Sequence, residues 1–450
     1  MKKNIFWGLI FTLLHLFTAA QSYNSAELLK GFKHQNLVRS WKYPYVVSHF
    51  IDNGKSAFVC SDFSGYFGTY SSIGFNASAQ YTDPLPNDCH VLDFRILNDY
   101  VFFCGERKAS SNPDVYNGIV GYFDLNQFLL GIFNPTIIEV PEIYYLRRLT
   151  AYEIGGYFKV VSIGLDDLSG SHEVFLEINN VMNPSPTLTL HQIYPNLSLE
   201  RYDDVFYSGG NVILVGTMQN GANARPCVKV LDDPFNLASS TNYGNFFYFS
   251  LMSNEINART KSTILKDGFI AVSYVHHESP TNMFYKRIRI INTDTLNPQN
   301  INSQEFEIVD KLETLEMAYS LTTRKLVLLQ EPLNSFVNDP HFYFLEPNNT
   351  SSYMANESFF QNGNPYCSLD IYHQDNFVSV GMSNAYLQFI PYQTNLGCPY
   401  GRQILAKRIT DLTSYIYPST VFRPTITYAI LNYNLYTYPC LWAPNCNNQF

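Results

Sequence analysis

Charge is scarce in this sequence. Asp, Glu, Lys and Arg make up only 15% of the 450 residues, and the balance is acidic, with a net charge of −9. The chain after residue 20 has no run of Lys and Arg. Binding to a nucleic-acid backbone works by neutralising phosphates with such clusters, so no nucleic-acid partner is expected. Long apolar runs are missing as well. Nothing after residue 20 approaches the ~20 residues that a spanning helix needs, and no membrane span is expected. The chain has no H-E-x-x-H, no G-x-S-x-G, no glycine-rich phosphate loop, no dinucleotide fingerprint and no C-x-x-C. These absences remove support for the familiar zinc, serine-nucleophile, kinase, dehydrogenase and thiol-redox chemistries.

Aromatic and aliphatic side chains are abundant instead. Hydrophobic residues reach 46%, and Tyr and Phe number 34 each. That supply is ample for a core, and ring side chains favour pleated, half-buried strands over helices. The first twenty residues differ from the rest. Lys2 and Lys3 precede an apolar stretch from Ile5 to Phe17, and Thr18-Ala19-Ala20 supplies small residues before Gln21, the order of a secretory signal peptide. Residues 1–20 are therefore expected to be a signal peptide. The mature chain is expected to be exported, to the periplasm, the cell surface or the medium.

The mature chain repeats itself. Val91 to Ile96, a turn at Leu97-Asn98-Asp99, Tyr100 to Gly105, a loop, Gly118 to Leu125 and then Ile137 to Val140 spell four short strands separated by turn residues. Copies of the second strand recur at Cys60, Val161, Val215, Val272, Leu329 and Val380, at intervals of 44 to 57 residues when Cys104 is included. Several close on a small residue, such as Gly105, Gly216 and Gly381. Seven four-strand units predict an all-β fold, a β-propeller of seven four-stranded blades, with six or eight blades and a pair of β-sandwiches left open. The expected organisation is an N-terminal segment at 21–42 that closes the propeller, the propeller at 43–410, and a β tail at 411–450 packing on or completing it. Gln403 to Ile409 and Thr425 to Leu431 are the tail runs expected either to complete the last blade or to pair beside Asn36 to Trp41.

The second repeat, Leu92-Asp93-Phe94 through Val101-Phe102-Phe103-Cys104-Gly105 to Gly118-Ile119-Val120-Gly121-Tyr122-Phe123-Asp124, resembles a group of exported β-propeller proteins of Bacteroidetes. The resemblance is strongest at 91–125. Asp204 to Gly216 and Leu369 to Gly381 keep the Asp and the closing Gly. It implies a fold and an exported location, and no reaction, since the group has no settled activity.

Asp93, Asp204 and Asp370 fall in the first strand of their repeats, the strand that lines a propeller's channel. A ring of carboxylates there could hold Ca²⁺ or do acid/base work, and backbone N–H groups accepted by each Asp are the plainer alternative. His276 and His277 follow a second strand, where a loop would bring ligand-type side chains to the rim. Contiguous positions of a strand face opposite ways, so both cannot serve one ion, and no metal site is assigned. Cys440 and Cys446 flank a short Pro-containing loop and are the disulfide candidates, while Cys104 is expected to be a buried thiol. The expected function is a non-catalytic binding or scaffolding propeller, a monomer without a required cofactor, that recognises a glycan or another exported protein. A polysaccharide-degrading enzyme using the channel carboxylates is the alternative.

Overall fold

The structure, a computed structural model, describes residues 89–109, 115–166, 173–194, 199–220, 223–231 and 425–439 continuously. Elsewhere it describes the paired strands, Leu85, Pro86 and Thr260. The described chain is almost wholly β, and its strands pair antiparallel with their neighbours in sequence. Val46–Phe50, Phe58–Asp62, Phe67–Tyr70 and Ala79–Thr82 form a first meander. A second contains Cys89–Leu97, Tyr100–Lys108, Tyr116–Asp124 and Thr136–Val140. A third runs through Ile143–Ile154, Tyr157–Asp166, Glu173–Asn179 and Thr187–Tyr194. The fourth is Leu199–Ser208, Asn211–Asn220, Asn223–Leu231 and Asn245–Phe249. Lys261–Lys266, Phe269–Glu278, Met283–Asn292 and Gln304–Val309 follow as a fifth. Leu312–Tyr319, Leu326–Pro332, His341–Leu345 and Tyr353–Phe359 make the sixth. In the last, Tyr366–Ile371, Phe377–Met382 and Tyr386–Pro391 are joined at the outer edge by Phe32–Lys33 from the other end of the chain.

The first strand of each meander lies beside the first strands of the meanders before and after it. Val46–Phe50 is flanked by both Cys89–Leu97 and Tyr366–Ile371. The hydrophobic core sits between successive meanders. Phe102, Cys104, Val120 and Ile138 of the second pack on Leu146, Leu149, Val160 and Leu176 of the third. Val161, Ile163 and Phe175 turn the other way onto Tyr202, Val205 and Leu214 of the fourth, and Ile213, Val215 and Val228 meet Ile270, Val272 and Tyr274 of the fifth. The second, third and fourth sheets are thus buried on both faces. That explains why Val101 to Arg107 is buried without interruption and why these strands read as continuous rather than alternating apolar runs.

Pairing within the first strands slips by one residue at a recurring place: between Val91 and Asp93, Leu146 and Arg148, Tyr202 and Asp204, and Thr314 and Glu316. Such a β-bulge kinks the strand and re-aims the residues beside it. Gly105, Gly164 and Gly216 stand opposite the first three slips. A Cβ on them would lie 1.8, 1.9 and 2.0 Å from the carbonyl oxygens of His90, Tyr145 and Arg201. The small residue that closes the second strand is therefore a clearance requirement.

The tail corrects an expectation. Neither of its runs completes the last meander. Arg402–Ile409, inside the span assigned to the repeats, pairs with Gln304–Val309 on one side and Tyr353–Phe359 on the other, joining the fifth and sixth meanders in one nine-stranded sheet. The chain then returns along the outer edges in reverse order. Ser414–Tyr415 pairs with Asn245–Phe249, Thr420–Phe422 with Thr187–Tyr194, Ala429–Asn432 with Thr136–Val140, and Thr437–Pro439 with Ala79–Thr82. The tail is a strap of fifth strands.

Replacing Gly105 with Ala should cost ~3 kcal/mol, because the clash is with backbone and cannot be relieved by a rotamer change. Gly156→Ala, at a turn with φ +80° and open space around it, should cost only ~1 kcal/mol of backbone strain. Urea unfolding of the two variants measures the difference.

Candidate functional site

Arg148 organises the centre. It follows the bulge in the third meander, and its guanidinium lies among three carboxylates from three other first strands. Nη2 is 2.8 Å from Glu316 Oε2, Nε is 3.4 Å from Asp204 Oδ1, and Nη1 is 3.6 Å from Asp93 Oδ1. Burial works against the guanidinium's charge, but Glu316, Asp93 and Asp204 outweigh it and hold Arg148 well above its ordinary range. Arg95 Nη1 adds a second cation at 2.9 Å from Asp93 Oδ1. Of the three aspartates expected to form a ring, Asp93 and Asp204 both meet one cation, the side chain of Arg148. Among the described residues no group of three or more His, Cys, Asp or Glu is arranged to hold a metal ion.

The remaining oxygens of the two aspartates reach to the next meander. Asp93 Oδ2 accepts the backbone N–H of Leu149 at 3.1 Å, and Asp204 Oδ2 accepts the N–H and the hydroxyl of Ser262, each at 2.9 Å. Two bulged residues reach the next meander as well: Asp203, beside Asp204, accepts the Thr260 hydroxyl at 3.0 Å through Oδ2, and Arg147, beside Arg148, donates from Nε to the Tyr202 carbonyl at 2.7 Å. Among the described residues, the second, third and fourth meanders are thus each clipped to the next by side chains at the bulge. Cys104, paired opposite Asp93, is a buried free thiol. Burial, followed by the Asp93 charge, pushes its pKa far up, which keeps it neutral and unreactive.

Other expected residues fall elsewhere. Asp370 lies opposite Ser379, two residues before Gly381, whereas Asp93 and Asp204 lie opposite the residue immediately before their closing glycines. It is one register step away from the other two. His276 and His277 are not in a loop. They are consecutive residues inside Phe269–Glu278, opposite Tyr285 and Phe284, because the hairpin with Met283–Asn292 extends further than expected. Cys440 and Cys446 lie outside the described residues.

A second cluster, which the sequence reasoning missed, lies where the first strands of the second and third meanders begin. His90 stacks on Tyr116 with ring centroids 5.7 Å apart, Tyr116 meets Tyr144 edge-on at 6.2 Å, and Tyr144 meets Tyr145 at 5.7 Å. Glu106 Oε1 bonds His90 Nδ1 at 2.8 Å at one end of the row. At the other end Arg147 donates to Glu173. All four rings are half-buried. Burial pushes the Glu173 carboxyl up to about 7, and Arg147 offsets part of that shift. The spacing of these residues, 90, 116, 144 and 145, follows no period, so only the fold brings them together.

Arg148→Met should destabilise the chain by ~3 to 5 kcal/mol at pH 7, because three desolvated carboxylates lose their shared partner. Denaturant unfolding at pH 7 measures the loss. Glu173 gives a pH signal. With its folded pKa about 7 against an ordinary 4.5, the native state holds the proton more tightly than the unfolded chain, so its contribution to stability falls as pH rises through that window. Glu173→Gln should flatten the unfolding midpoint across the same range.

No known family profile matches the chain, and no curated protein is similar to it in sequence. Among solved structures it is similar to the WD40 domain of Pan2 from Neurospora crassa, with a TM-score of 0.45 and 9% identity, covering 81% of this chain and 98% of that one. It is likewise similar to the C-terminal WD40 domain of Sif2, with a TM-score of 0.41 and 9% identity, covering 79% of this chain and 99% of that one.

Proposed function

We propose that the chain is an exported, non-catalytic scaffold, a closed propeller of seven four-stranded blades that holds a glycan or another exported protein on the face where His90, Tyr116, Tyr144 and Tyr145 meet. The observation that carries this is the commitment of the inward carboxylates. Cleavage of a polysaccharide needs two carboxyl groups ~5 to 9 Å apart that can trade protons. Asp93 and Asp204 both engage Arg148 and the donors of the next meander instead. Closure is supported by the first strands lying side by side around to Tyr366–Ile371 against Val46–Phe50, and by Phe32–Lys33 completing the last meander. Export is supported by Lys2, Lys3 and the apolar stretch that follows. The resemblance of 91–125 to exported Bacteroidetes propellers agrees with both.

The row of rings supports a glycan in particular. Sugar rings present C–H faces that stack on aromatic side chains such as the half-buried rings of His90, Tyr116, Tyr144 and Tyr145. Thermal unfolding against a glycan panel tests it. A matching glycan at a hundred times its dissociation constant should stabilise the chain by ~2.7 kcal/mol. The effect should be lost in Tyr116→Ala and Tyr144→Ala and kept in Tyr157→Ala, with no new reducing ends. Silence across the panel removes the glycan and leaves a protein partner, to be sought by pull-down. Release of reducing ends overturns the non-catalytic assignment.

A further inference from the structure

The outer edges of the meanders are a strand-accepting surface, and the chain's own tail shows what fits it. Between residues 402 and 439 the strap carries four Lys or Arg and one Asp, in a chain whose net charge is −9. In its first segment, Arg402–Ile409, which anchors the strap, two basic positions meet acidic ones in register: Lys407 lies opposite Glu307 and Arg402 opposite Glu357. Directly opposed unlike charges favour a pairing, and like charges disfavour it. Further along, Thr427 donates its N–H and hydroxyl to Glu142 Oε1, each at 2.8 Å, and the Thr136 hydroxyl donates to Asn432 Oδ1 at 2.9 Å. Leu431, Tyr433 and Leu435 pack on the cluster around Phe123 and Phe133. The sockets are specific. Each docked segment after Arg402–Ile409 is nonetheless only two to four residues long, so no single pairing holds the strap down.

We propose that the strap from Ser414 onward is exchangeable, and that a second copy of this chain can dock its strap on the same edges. Specific sockets matched to a short-paired, same-chain segment are the condition under which swapping between copies is a low-cost route to association. The docked strap keeps the advantage of proximity, so exchange grows with protein concentration. Full-length chains bearing Thr136→Cys alone and Asn432→Cys alone are mixed and oxidised, since neither can form the link within itself. A disulfide between the two introduced thiols, found by mass spectrometry and rising about tenfold in yield fraction for a tenfold rise in concentration, is the expected result. Tyr157→Cys mixed with Asn432→Cys controls for chance collision and should stay at background. A chain carrying both Thr136→Cys and Asn432→Cys that closes its own link, while the mixed single variants never exceed that background at any concentration, overturns the proposal.

Discussion

Everything in this architecture depends on how one four-strand sheet is held to the next, because a meander buried on both faces has no stability of its own. Apolar packing supplies most of the attraction but little direction, since two flat, oily faces can slide. Direction comes from the bulges. By slipping one residue in the first strand, the backbone turns Asp93, Arg147, Asp203 and Asp204 toward the neighbouring first strand, where they take hydrogen bonds from or give them to Leu149, Tyr202, Thr260 and Ser262. These partners lie 55 to 58 residues apart in sequence, one full repeat. The clip is therefore the repeat's own bond to its copy, and Gly105, Gly164 and Gly216 are the clearance it requires.

Much of this could be read in the sequence, and the limits have physical causes. The strand pattern from Val91 to Val140 announces four strands because alternating apolar runs and turn residues are local signals. Asp93 and Asp204 stood out by their place in the repeat, and both reach the centre. Their partner did not stand out. Arg148 takes the same position in its own repeat but with the opposite charge, so a search for like residues at like places passes over it. Asp370 shows the converse: it matches in sequence, and a slip of one position moves it out of register with the others. His276 and His277 read from sequence as lying beyond a strand end, but polar residues mark an end only when the partner strand also stops, and here Met283–Asn292 continues alongside them.

The tail was legible as β and illegible as a strap. Its segments are too short to declare a partner, and the pairings that define them span up to the 296 residues between Thr136 and Asn432. Charge offers a hint, since residues 402–439 of this acidic chain carry four basic residues and one acidic one. The edges that the strap's strands cover are the N–H and C=O rows that sheet proteins must otherwise blunt with charge, proline or bulges.

The return path also imposes a timetable. Because the strap retraces the meanders in reverse, from the fifth and sixth back to the first, the sheets synthesised earliest are the last to have their edges covered. The edge at Ala79–Thr82 waits for Thr437–Pro439, while the edges at Gln304–Val309 and Tyr353–Phe359 wait only for Arg402–Ile409. Contacts so distant in sequence form slowly. The N-terminal half of the chain thus spends the longest interval with open strand edges, and that interval is where a nascent chain has most need of a chaperone's protection.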